Sequence, residues 1–197
     1  MTRRVADYIE TLAARAAQAW AATLDGREID LDEAVGGIVA RMRSAHDIGG
    51  RTWLIGNGGS SAVASHLAND FSKNGGVRAA AFTDASILTC LSNDFGYEQV
   101  YVKALEFQAQ PTDGLIAISS SGSSPNIVKA VAQARHMGLW VVTLSGFDPK
   151  NALRTLGDIN IYVGSMSYGF VELSHFILLH AALDFSAASS IARLRTG

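Results

Sequence analysis

Leu54-Ile55 runs into GNGGSS at residues 56–61, and this stretch decides how the rest of the chain is read. An apolar run that stops in small and hydroxyl residues and then resumes with helical periodicity is a strand turning into a helix. Such a turn aims backbone N–H groups and side-chain hydroxyls at one point beyond the strand's carboxyl end. The pattern recurs where Leu115 to Ile118 runs into SSSGSSPN at residues 119–126. Both loops read as anion cradles that accept a phosphate or phosphosugar without any lysine. A P-loop would close on Gly-Lys-Ser/Thr, which neither loop contains, and a dinucleotide turn would carry a third glycine where Ser61 stands. Serines that only cap helices would explain one hydroxyl per loop, and each loop has at least two.

Outward from these loops, helical and strand-like patterns alternate. Helices are predicted at about residues 2–24, 32–47, 60–74, 85–91, 99–109, 124–137 and 168–192, with a turn at 92–97. Strands are predicted at 51–55, 77–82, 115–119, 140–144 and 159–163. Asp30, Asp32 and Glu33 open the second helix, where acidic groups suit the helix dipole. Strands separated by helices of this length imply an α/β architecture: a doubly wound, mostly parallel sheet flanked by helices on both faces.

Composition narrows the function. A chain of 197 residues with 48% hydrophobic content and three prolines can bury one sizeable core, so one globular unit is expected. Sixteen basic against eighteen acidic side chains leave a formal charge of −2 with no long basic cluster, which argues against nucleic acid as a partner. The single cysteine, Cys90, excludes an internal disulfide, and polar residues interrupt the first ten positions before any apolar signal region develops. A reducing cytoplasm is the expected location. Residues 170–191 are strongly apolar, but Glu172, His175, His180 and Asp184 interrupt them at a density that lipid does not tolerate. That segment reads as a buried functional helix, and no membrane partner is expected.

Two helices carry candidate chemistry. His66 and Asp70 lie four apart on the helix leaving GNGGSS, so they share a face at metal-ligand or acid/base spacing beside the first loop. Ser65 and Asn69 flank the pair. On the last helix, Glu172 and His180 are eight apart, rotated by about 80° and separated by about 12 Å of rise. They can hardly chelate one ion from a straight helix. Either the helix is irregular near Gly169 or the two serve one site from different copies of the chain. His175 reads as a satisfied core histidine.

GNGGSSAVASHLAND, TDASILTCLSNDFGYEQVY, ISSSGSSPNIVKA and a last helix with Glu172, His175 and His180 together resemble the sugar isomerase (SIS) fold, specifically the sedoheptulose-7-phosphate isomerase (phosphoheptose isomerase) family. The likeness covers residues 51–184, and two helices within residues 1–49 stand where the family has them. It implies one SIS domain over residues 1–197, with the N-terminal helices contributing to oligomer packing. It also implies a homotetramer with interfacial active sites, often holding zinc, and aldose–ketose interconversion of a seven-carbon sugar phosphate.

Carried over position by position, the resemblance puts Ser119, Ser120, Ser121 and Ser124 on the phosphate, with Asn126 closing that loop. Asn57, Gly58, Gly59 and Ser60 would lie near the sugar, and Asp94 would line the same pocket. His66, Asp70, Glu172 and His180 would surround the metal, with Asp70 or Glu172 as base and His180 as acid. The family pattern has glutamate where Asp70 stands and glutamine where Glu172 stands. A carboxylate set back by about 1 Å can cost some 100-fold in rate, whereas zinc accepts either kind of oxygen ligand. The two departures keep two other readings open: a non-catalytic phosphosugar sensor or oligomeric adaptor of the same fold, and an isomerase for a different phosphorylated ketose.

Overall fold

The structure, a computed structural model, describes residues 4–196, and the side chains of residues 4–186. The elements run α1 Val5–Ala17, β1 Trp20–Thr23, β2 Glu28–Ile29, α2 Leu31–Asp47, β3 Thr52–Gly56, α3 Gly59–Lys73, β4 Ala79–Ala81, α4 Ala85–Phe95, α5 Val100–Gln108, β5 Gly114–Ser119, α6 Pro125–His136, β6 Trp140–Gly146, β7 Ile159–Val163 and α7 Tyr168–Thr196. Short 3-10 turns at Tyr97–Gln99 and Ala152–Thr155 precede α5 and β7.

All the strands join one sheet in the order β2-β1-β7-β6-β5-β3-β4. The five strands from β3 to β7 pair in parallel, while β1 is antiparallel to both β7 and β2. The doubly wound expectation therefore holds, with an antiparallel edge added. Each central strand splits its side chains between two cores. Leu54, Ile116, Ile118, Val142 and Leu144 face one cluster with residues of α2, α3 and α7. Trp53, Ile55, Leu115, Ala117 and Val141 face the other with residues of α5 and α6. Period-two alternation of uniformly apolar residues is what burial on both faces requires.

One expected element is different. The pattern predicts helix through residue 24, but α1 ends at Ala17 and β1 follows, with Trp20 opposite Tyr162 and Ala21 opposite Ile161. The alanine-rich stretch has good helix propensity, yet Ala21 and Ala22 are each only 1% exposed in the sheet. Burial at a sheet edge outweighs a propensity of a few tenths of a kcal/mol per residue. Asp25-Gly26, with Gly26 at φ +84°, turns β1 into β2 and was the local signal for a hairpin. The predicted start of that helix at residue 2 lies outside the described residues. In addition, α4 reaches Phe95 through most of the expected 92–97 turn.

Past β3 the chain crosses to β4 on one side and then returns to β5 on the other. The crevice between the carboxyl ends of β3 and β5 is thus the switch point where open α/β sheets bind ligands. Both serine loops open there. No helix among the described residues is long and apolar enough to cross a membrane.

Candidate active site

The first loop is shaped by steric demands that glycine alone meets. A Cβ on Gly56 would lie 2.6 Å from the Ser60 carbonyl, and Gly58 caps α3 at φ +52°, in the left-handed half of the map. Ser60 is consequently folded back and buried at 3% exposure. The second loop turns at Gly122, φ +64°, whose N–H bonds the Ser119 carbonyl at 3.0 Å and whose carbonyl accepts from Leu153 N. The Ser119 hydroxyl is its hub, 3.4 Å from Ser121 Oγ, 3.3 Å from Ser124 Oγ and 3.2 Å from Gly122 N. Pro125 then starts α6 at a position where its missing N–H costs nothing.

A reciprocal amide pair ties the loops together. Asn57 Nδ2 donates to Asn126 Oδ1 at 2.9 Å, and Asn126 Nδ2 returns the bond to Asn57 Oδ1 at 2.8 Å. Asn126 also accepts from Ile127 N and is 2% exposed, so it braces the loops from behind. The Tyr97 hydroxyl donates to Asn57 Oδ1 at 3.0 Å, and the Tyr101 hydroxyl donates to the Gly56 carbonyl. Burial pushes the Tyr101 phenol up to about 12.

Between the loops lies a cavity of about 130 Å³ lined by Asn57, Ser60, Ser119, Ser120, Ser121, Ser124, Tyr168 and Glu172. The expected phosphate-side serines thus converge with Asn57 and Ser60, and no lysine or arginine is among the lining residues. A second cavity of about 410 Å³ adjoins it, lined by Gly59, Ala62, Val63, His66, Glu172, Leu173 and Phe176. Glu172 packs over Gly59, where a Cβ would come 2.7 Å from its carboxyl carbon.

His66, Asp70 and His180 come together within one chain. Their nearest ligand atoms all lie within 4.8 Å of one another, with His66 Nε2 3.2 Å from Asp70 Oδ2. The Phe176 ring meets both imidazoles edge-on, at centroid distances of 5.1 Å from His66 and 4.6 Å from His180. Two imidazoles and one carboxylate are a donor set suited to a divalent metal with an open coordination position. Glu172 is outside this group. As α7 is one helix from Tyr168, the separation expected from an eight-residue spacing holds within one chain.

His175 is where the core reading puts it, fully buried, with Nε2 3.1 Å from the Ser145 carbonyl. Burial holds its imidazole down at about 4, so it stays neutral. Asp94 is exposed on α4, bonded to Asn93 and Cys90, and lines neither cavity. The sequence reading missed the tyrosines: Tyr168 at the cradle and Tyr97 and Tyr101 bracing the first loop. Tyr97 and Tyr101 both lie in the stretch TDASILTCLSNDFGYEQVY. Nothing local distinguishes Tyr101 from any other buried aromatic.

Residues 13–146 match the SIS domain family. A phosphoheptose isomerase of Trichlorobacter lovleyi is 32% identical over 163 residues, covering 80% of this chain and 83% of that protein. One from Mycobacterium tuberculosis is 35% identical over 155 residues, covering 76% and 79%. The solved structure of phosphoheptose isomerase GmhA from Neisseria gonorrhoeae superposes with a TM-score of 0.78 at 28% identity, covering 93% of this chain and 97% of that one.

Proposed function

The chain belongs to the phosphoheptose isomerases of the SIS domain family, and on that premise we propose that it interconverts sedoheptulose 7-phosphate and an aldose heptose 7-phosphate. The observation that carries the reading is continuity: the serine cradle adjoins, at Glu172, the cavity lined by His66, which is itself grouped with Asp70 and His180. One side suits the phosphate and the other suits proton transfer.

In this reading Ser119, Ser120, Ser121 and Ser124 hold the phosphate, and their binding energy fixes the sugar's orientation rather than acting on the reacting carbons. Asn57, Gly58, Gly59 and Ser60 face the sugar, with Asn126 behind them. Turning a 2-ketose into an aldose requires removal of a C1 proton, an enediol and protonation at C2. A carboxylate, Asp70 or Glu172, takes the proton, and the His180 imidazole delivers one. His66, Asp70 and His180 are the residues that would hold zinc, and Glu172 stands outside that group within one chain. When bound, zinc would supply electrophilic stabilisation of the developing oxyanion.

The assembly we propose is a homotetramer whose active sites lie between subunits. Exposed apolar residues at helical spacing support it: Val5 (77% exposed) and Ile9 (58%) on α1, Leu173 (40%) and Ile177 (43%) on α7. The α1 pair lies in the N-terminal region assigned to packing, and Leu173 of the α7 pair lines the cavity beside His66. Asp94, exposed on α4, would reach a sugar only across such an interface. The single cysteine is in keeping with a cytoplasmic location.

The test is incubation of the full chain with sedoheptulose 7-phosphate and zinc, following loss of the ketose. Conversion supports the isomerase. Tight binding without conversion would favour the sensor or adaptor reading, for which the Asp70 and Glu172 departures are the motive.

A further inference from the structure

The amino end of the sheet, opposite the serine loops, carries a polar cavity of about 220 Å³ that the isomerase reading leaves unused. Arg51, Arg78 and Asp113 meet there because each immediately precedes a parallel strand, β3, β4 and β5 in turn. With Gln108 and Gln110 they line the cavity over Trp53. The five-residue length of β3 puts this place about 16 Å from the serine loops. Asp113 is 5% exposed and its carboxylate is already engaged. Its Oδ1 accepts from Arg51 N at 2.8 Å, and its Oδ2 accepts from Trp53 Nε1 at 2.9 Å and from Gln110 N at 3.0 Å. The guanidinium groups are not so occupied. Among the described residues neither Arg51 nor Arg78 forms an ion pair, whereas Arg27 holds Glu33 and Arg135 holds Asp158. The Arg51 head lies over the Trp53 ring, 5.0 Å from its centroid, and Arg78 Nη1 stands 3.7 Å from where a Cβ on Gly49 would be, at the cavity wall.

Two like charges facing one cavity repel until an anion stands between them. Guanidinium forks bond phosphate oxygens in pairs, which makes phosphate the fitting anion. An adjoining cavity of about 160 Å³ shares Arg51, Trp53 and Gln108, and continues over Ala81, Phe82 and Ile87 to Asp84. The bonds by which Asp84 caps α4 all run to Oδ1, from Ser86 N, Ser86 Oγ and Ile87 N, and this leaves Oδ2 open to a donor. The Ser86 hydroxyl and the Ile87 and Ser86 N–H groups hold that carboxyl below the usual carboxylate range, so it is charged at neutral pH. A ligand that fills both cavities therefore needs a phosphate at one end, an apolar body and an N–H donor beyond it. A bare phosphate has no body, and an open-chain polyol would lay its hydroxyls on the apolar floor. We infer that this end of the sheet is a second anion site that takes a nucleoside monophosphate. Its phosphate sits between Arg51 and Arg78, and its base lies over Ala81, Phe82 and Ile87 with an amino group directed at Asp84.

The probe is adenosine 5′-monophosphate, titrated calorimetrically into the full chain at low salt, with inorganic phosphate titrated in parallel. Wild type should bind the nucleotide saturably and at least about ten times more tightly than inorganic phosphate, because the base adds apolar contact. Arg51→Gln and Arg78→Gln change exposed side chains and are checked for an unchanged melting temperature. Each should weaken nucleotide binding at least about tenfold, through the loss of charge-assisted bonds. Ser121→Ala, in the distant cradle, should leave nucleotide affinity within about twofold of wild type. Absence of saturable binding at millimolar nucleotide would overturn the inference, as would equal affinity for inorganic phosphate or indifference to both arginine changes. Loss of binding in Ser121→Ala would place the nucleotide in the cradle and overturn it equally. None of these readouts uses ketose conversion, so the isomerase reading stands or falls separately.

Discussion

The Asn57–Asn126 pair offers the sharpest test of how the site is held in shape. Two amide bonds, at 2.9 and 2.8 Å, join loops that are 69 residues apart in sequence. Each neutral bond contributes about 1 kcal/mol net. The two together should give a coupling energy of about 2 kcal/mol in a cycle of Asn57→Ala, Asn126→Ala and the double variant. Asn126→Ala should be the costlier single change, about 2 kcal/mol, because it also removes one of the two acceptors of Ile127 N in a buried setting, leaving the Ser124 carbonyl. The cycle is read by urea unfolding at one fixed protein concentration, alongside kcat/KM for sedoheptulose 7-phosphate. A shift of the two loops by about 1 Å should lower kcat/KM by some 100-fold in either single variant. Strict additivity, within about 0.3 kcal/mol, would show that the pair braces nothing.

Other consequences are checkable in the same material. His180→Gln should abolish turnover while leaving sugar phosphate binding within about threefold of wild type, because it alters the proton-transfer side and spares the serines; unchanged turnover would remove His180 from the chemistry. His175 titrates at about 4 in the fold against 6.5 when unperturbed, so the unfolded chain binds the extra proton first as pH falls. Its contribution is fully present above about pH 6.5 and is lost as pH falls through the folded value near 4, amounting to about 3 kcal/mol; His175→Phe should flatten that part of the stability–pH curve measured by denaturant unfolding. Gly122→Ala combines φ +64° with a Cβ 2.8 Å from the Asn151 Cβ, so it should cost at least about 2 kcal/mol and lower the melting temperature by several degrees. A melting temperature equal to wild type would show that the second loop is not held in the conformation described.

The sequence by itself determined the βα turns and what they are for. A turn such as GNGGSS is local: Gly56 is demanded by Ser60, four residues on, and Gly58 by its own positive φ, and the hydroxyls follow directly in the chain. The His66–Asp70 pair is equally local, since a helix sets a four-residue spacing on one face whatever surrounds it. Residues 20–23 show the limit of that reading. Their alanines favour helix, and only pairing with β7, some 140 residues later in the chain, makes them a strand.

Tertiary structure alone decided how the separate signals combine. It brought His180 of α7 to His66 and Asp70 of α3 while leaving Glu172, eight residues earlier, over Gly59 at the start of α3. It placed Asp94 away from both cavities and put Tyr97 and Tyr101 behind the first loop. The physical reason is that side-chain spacing along one element is fixed by backbone geometry, whereas the meeting of two elements depends on packing summed over two hydrophobic cores. No short stretch of residues encodes that sum.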